Sequence, residues 1–137
     1  MKRDWDLIRQ ILTAAEAKEP GEELFAEEVD ADSVAVINGH IVMLYDAGYV
    51  KAKILRGKEG IYLAHVQEIT FSGYELLGII RSDSVWSGIK KTAKAKELEL
   101  SFEVVKQLGK DVLEHVISGN PIPEFLLKPS YGRAETR

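Results

Sequence analysis

The 137-residue chain contains no cysteine. Disulfide scaffolds, CxxC redox sites, thiolate nucleophiles and cysteine-ligated zinc are thereby excluded, and the absence fits a reducing cytoplasm. Long apolar runs are also missing. The longest, Ile41 to Tyr45, is five residues, against the roughly 18–20 that a membrane-crossing helix needs. The opening Met1-Lys2-Arg3-Asp4-Trp5-Asp6 is charged and no apolar stretch follows it, so it does not read as a secretory signal. No internal repeat, low-complexity tract, P-loop, GxGxxG, GxSxG, HExxH or Ca²⁺-loop pattern is present. These absences point to a soluble cytoplasmic protein that is not an enzyme and carries no cofactor and no metal.

What is present is ordinary globular material, 45% hydrophobic and 29% charged, enough for one domain with its own core. The net charge of −4 argues against a wholly basic coat protein, but it is unevenly distributed. Residues 1–50 carry −7, residues 51–96 carry +5 and residues 97–137 carry −2. An acidic first third thus conceals a basic middle.

Apolar spacing predicts an amphipathic helix over residues 3–18, with Trp5, Ile8, Leu12 and Ala15 on its stripe and Leu7 and Ile11 widening it. Pro20-Gly21 ends that helix. Leu24 to Val29 is short and acidic, readable as an edge strand or a turn. Asp32 or Ser33 can cap a second helix reaching about Ala47, with Val34, Ile37, Ile41 and Leu44 inward and Gly48 as the left-handed stop. Two β-rich runs, 49–55 and 61–69, flank the Gly-bearing turn 56–60 and predict a hairpin. Three helices follow, over Tyr74–Arg81, from Asp83 or Ser84 to about Lys96, and from Ser101 to Ile117. Gly119-Asn120-Pro121 stops the last one, and 119–137 reads as a flexible tail.

The expected fold is α+β and mostly helical. A winged-helix-like unit, helices plus a β-hairpin wing, spans 1–71, and a helical extension spans 72–118 within a single domain 1–118. Residues 20–31 are too acidic, and too broken by Pro20 and Gly21, to supply the middle helix of such a helix-turn-helix variant.

Three blocks carry a family resemblance. The first is Met1-Lys2-Arg3-Asp4-Trp5-Asp6-Leu7-Ile8-Arg9. The second runs from His40 to Val50 through Ala47-Gly48. The third is Ile69-Thr70-Phe71-Ser72-Gly73-Tyr74-Glu75-Leu76-Leu77, followed by Ile80-Arg81-Ser82-Asp83-Ser84-Val85-Trp86. Together they resemble a family of uncharacterised phage and bacterial proteins defined as a domain of unknown function, over about residues 1–110. The resemblance implies a winged-helix-like domain in a phage or prophage setting. Phe71 stands where that family has Trp, and Tyr74 where it has His, so no role of that His carries over.

The candidate DNA-contacting residues are Lys51, Lys53, Arg56 and Lys58 on the hairpin, Lys90 and Lys94 on the helix after Asp83, and Asn38. Exposed cations contact phosphate and give affinity that depends on salt more than on sequence. Lysines also guard exposed strand edges, which is the competing explanation for the hairpin cations. Base edges are read by Arg, Lys, Asn or Gln, yet residues 32–48 hold no Lys or Arg, and Asn38 is the one plausible base reader there. Val42 and Met43 are expected near an exposed face. His40, His65 and His115 are too dispersed for a metal site, and Trp5 and Trp86 are expected in the core. The function expected first is a phage-type regulatory or accessory protein that binds DNA through phosphate contacts. The alternative is a non-enzymatic interaction module, a homo-oligomer with a winged-helix shape.

Overall fold

The computed structural model describes residues 1–31 and 33–119. The Asp4 carboxylate accepts the N–H groups of Asp6 and Leu7 at 3.0 and 3.2 Å, and helix α1 follows over Trp5–Glu16. Such a cap is worth about 1 kcal/mol. Complete burial contributes about 1.5–3 kcal/mol for each large aliphatic side chain. Ile8, Ile11 and Leu12 are all fully buried, so packing rather than capping holds α1. After a turn at Gly21, strand β1 is only Leu24–Phe25, and a single 3-10 turn occupies Ala26–Glu28.

Helix α2, Val34–Asp46, starts at Ser33, whose hydroxyl accepts the Val36 N–H at 3.3 Å. It ends where Gly48 adopts φ +85°, a conformation glycine takes without steric cost. Strands β2 (Val50–Gly57) and β3 (Gly60–Ile69) form the expected hairpin. The antiparallel sheet has the order β1-β3-β2. Helices α1 and α2 both pack on β3. Ile37, Ile41 and Leu44 of α2 are buried, as are Leu24, Val50, Ala64 and Val66 of the sheet.

Helix α3, Phe71–Ile80, is pinned at its start. The Thr70 hydroxyl donates to the Gly48 carbonyl at 2.6 Å and accepts the Gly73 N–H at 3.1 Å. Gly73 lies so close to the Tyr49 carbonyl oxygen that an added Cβ would overlap it. Helices α4 (Asp83–Ala95) and α5 (Phe102–Ser118) begin at Ser82 and Ser101, whose hydroxyls accept the N–H groups of Val85 and Val104. These two helices pack on each other. The chain divides into two compact units, Met1–Leu77 and Gly78 onward. The architecture is α+β and mostly helical, with five α-helices and three strands among the described residues.

Several placements differ from the sequence expectation. Val34, the first residue of α2, is 45% exposed rather than in the buried stripe. Val42 is buried at 7%. The covered face of α2 is therefore broader than one stripe, with Asn38, His40 and Val42 all inside. Of the proposed tail, residues 120–137 lie outside the described residues, as does Asp32, the alternative cap.

His40 is completely buried. Its Nε2 accepts the Asp4 N–H at 2.9 Å, and its Nδ1 lies 2.9 Å from the Val36 carbonyl. Because Nε2 accepts, Nδ1 carries the proton and donates, so the neutral tautomer satisfies both contacts. The ring fastens the start of α1 to α2. Replacing His40 with Ala leaves a cavity and an unpaired Asp4 N–H, and is expected to lower stability by about 2–5 kcal/mol in urea unfolding. Gly73→Ala is expected to cost about 1–3 kcal/mol through overpacking against Tyr49, in the same measurement.

Candidate nucleic-acid interface

β2 is an edge strand with a regular two-residue alternation. Val50 faces the core and Ala52 and Ile54 are partly covered, whereas Lys51 and Lys53 are exposed. Arg56 shares the inward parity of Ile54 but is exposed at the far end of the strand. Lys58 occupies the two-residue tip closed by the Gly57↔Gly60 pair. Register irregularities between Lys51 and Ala52, and between Leu55 and Arg56, add local twist to the hairpin. Lys51 pairs with Glu68 at 3.2 Å, with both side chains largely exposed. Among the described residues no carboxylate lies within ion-pair distance of Lys53, Arg56 or Lys58.

The helix beside the hairpin offers no matching surface. Asn38 is 4% exposed, and its Oδ1 accepts the Ala64 N–H of β3 at 3.1 Å. The expectation that it faces outward to read a base edge is therefore corrected. Its polar group closes a backbone bond inside the core, where an unsatisfied N–H would cost about 1–3 kcal/mol. The exposed positions of α2 are Val34, Ala35, Val36, Tyr45 and Asp46. At Gly39 an added Cβ would strike the Met1 thioether, so the N-terminal residue crosses this helix. A groove of about 380 Å³ between the starts of α1 and α2 has Asp4, Asp6 and Asp30 on its walls. Three carboxylates there repel phosphate.

In the second unit, Lys90, Lys91 and Lys94 are exposed on α4. Val85, Trp86, Ile89 and Ala93 form its buried side. The Lys90 ammonium lies 5.7 Å from the centroid of the Trp86 ring, within cation–π range. Trp5 and Trp86, 7% and 3% exposed, are core residues and offer no open stacking face.

The acidic side of the first unit contains contacts that sequence spacing does not reveal. The His65 Nδ1 lies 2.5 Å from the Glu23 carboxylate. Its ring stacks on Phe25, with centroids 4.4 Å apart and planes 11° from parallel. Phe25, His65 and Lys53 form one register row across all three strands. His115 instead closes a local bond to the Asp111 carbonyl at 2.9 Å. Among the described residues no three His, Asp or Glu side chains come together as a metal site. No helix is long and apolar enough to cross a membrane among those residues.

These features place the chain among α+β proteins with a helix-backed antiparallel sheet and an exposed cationic hairpin. It belongs to the DUF2513 family, whose model, described as "Hypothetical protein (DUF2513)", matches residues 2–99. An "Uncharacterized protein" of Haemophilus influenzae is 32% identical over 119 residues, covering 86% of this chain and 100% of that protein. No solved structure matches the chain.

One titration follows from the acidic side. Glu28 accepts hydrogen bonds from the Lys18 ammonium and from the Phe25 N–H. Lys18 first, then that backbone bond, holds its carboxyl below the ordinary glutamate value, and the same contact raises Lys18. A lowered carboxylate stabilises the fold fully above the ordinary glutamate range, and the contribution is lost as pH falls through the lowered value. NMR titration is expected to find the Glu28 midpoint below that of an ordinary glutamate. Lys18→Met should move it upward.

Proposed function

We propose that residues 1–77 form a winged-helix module that contacts nucleic-acid phosphates through its wing and keeps its helix out of the groove. The order helix, strand, short turn, helix, hairpin and the strand order β1-β3-β2 support this. In this scheme α2 takes the recognition position, and the 3-10 turn Ala26–Glu28 stands where a middle helix would be. The observation that carries the proposal is the exposed cation set Lys53, Arg56 and Lys58, which have no carboxylate at ion-pair distance among the described residues, joined by Lys51. Base-specific reading by α2 is not part of it, because Asn38 is enclosed and the neighbouring groove is acidic. Lys90 and Lys94 are proposed as further phosphate contacts. The role is non-enzymatic, and a regulatory or accessory task in a phage or prophage setting rests on the resemblance of the three sequence blocks.

A second role, as a protein-interaction module, is favoured by one specific observation. Val36 is exposed on the wall of the groove that Asp4, Asp6 and Asp30 line, and Val34 is exposed beside it. An apolar spot edged by one sign of charge suits a protein surface better than a phosphate backbone.

Fluorescence anisotropy with duplex DNA, over a salt series, tests the wing. Binding is expected at micromolar protein in low salt. Arg56→Gln and Lys58→Gln should each reduce the slope of log K against log salt by about 0.9, the value for one lost phosphate contact. Loss should be similar on unrelated sequences. Absence of any binding by the unaltered chain at low salt would sink the proposal.

A further inference from the structure

The strand order separates charge across the sheet. β1 and β2 each pair with β3 alone, so they are its two edges. The β1 edge continues into the 3-10 turn and carries Glu22, Glu23, Glu27, Glu28 and Asp30. The β2 edge carries Lys51, Lys53, Arg56 and Lys58. Part of the acidic edge is engaged within the chain: Lys18 pairs with Glu28, and the Glu23 carboxylate lies against the His65 ring. Glu27 and Asp30 remain exposed with no cation at ion-pair distance among the described residues. On the other edge, Lys53, Arg56 and Lys58 have no carboxylate at ion-pair distance among the described residues. With strands about 4.8 Å apart, the two edges stand about 10 Å from each other across β3. That is about one Debye length at 0.1 M salt, so their attraction within one copy is weak.

We propose that copies of this chain associate head to tail, with the basic β2 edge of one copy against the acidic β1 edge of the next. Charge complementarity selects this arrangement. A two-fold contact of β2 with β2 sets cations against cations, and β1 with β1 sets carboxylates against carboxylates. Only the unlike pairing brings Lys53 and Arg56 to ion-pair distance of Glu27 and Asp30. Such a contact uses two different surfaces, so it is heterologous and builds rings or open chains rather than a closed dimer. It also sets a strand with free edge groups beside another strand, which offers backbone pairing in addition to charge. The proposal rests on the interaction-module role and names its partner and both surfaces. Because the basic edge is also the wing, self-association and phosphate binding compete for the same cations.

Sedimentation velocity of the full chain without nucleic acid tests this. The unaltered protein should show concentration-dependent association at about 10 mM salt that is lost at about 1 M, where the screening length falls to about 3 Å. The double variant Lys53→Glu, Arg56→Glu sets carboxylates against Glu27 and Asp30 of the next copy, and Glu27→Lys, Asp30→Lys sets cations against Lys53 and Arg56. Each should sediment as a monomer, while an equimolar mixture should associate again. Circular dichroism and thermal unfolding report whether each variant keeps the fold, and all four positions are exposed. Restored association in the mixture supports the proposal. Association that survives in either variant alone overturns it and leaves the interaction-module role standing on another surface. A strict monomer at low salt overturns the self-association altogether.

Discussion

Helix α2 takes two polar side chains into the core, and each closes a backbone group of a different element. His40 receives the Asp4 N–H and binds the Val36 carbonyl, so the start of α1 is fixed to α2. Asn38 receives the Ala64 N–H, so α2 is fixed to β3. A buried polar group is tolerated only when its partner is in place. These two bonds therefore hold α1, α2 and the sheet in one arrangement, where apolar packing alone would tolerate several. They also constrain function: the same Asn38 that closes the β3 bond is unavailable to any outside ligand.

With α2 committed inward, the chemistry of the first unit lies on the sheet. The order β1-β3-β2 places the acidic segment at one edge and the basic segment at the other. In sequence these segments are a −7 first third followed by a +5 middle, but the pattern along the chain does not show that a third strand keeps them apart. That strand matters because surface charges separated by about 10 Å are screened, whereas opposite charges in contact are not. Among the described residues, Lys53, Arg56 and Lys58 of the hairpin consequently have no carboxylate at ion-pair distance.

The blocks that carry the family resemblance meet in two backbone ties. Asp4 of the first block reaches His40 of the second. Thr70 of the third holds the Gly48 carbonyl of the second, and Gly73 presses on the Tyr49 carbonyl. A Cβ has no room at Gly73, and the Thr70 hydroxyl both caps α3 and grips the preceding loop. Phe71 and Tyr74, also in the third block, are 81% and 49% exposed.

Local signals specified much of the fold. The spacing of Ile8, Ile11 and Leu12, the stop at Gly48, the glycine-bearing turn of the hairpin and the apolar face of α4 all follow from chemistry within a few residues. The exposure of Lys51, Lys53, Arg56, Lys58, Lys90 and Lys94 was likewise legible, because long charged side chains are rarely enclosed. Asn38 and Val42 were not, since helical periodicity marks the centre of a buried stripe but not its width, which depends on how much of α2 the sheet covers. The partners of His40 and His65 lie 36 and 42 positions away, beyond any local pattern. The amino-acid sequence by itself determined the helices, the hairpin and the unequal charge of its segments. Only the tertiary structure decided that the acidic and basic segments occupy opposite edges of one sheet, because strand order is fixed by which backbones pair and not by their order along the chain.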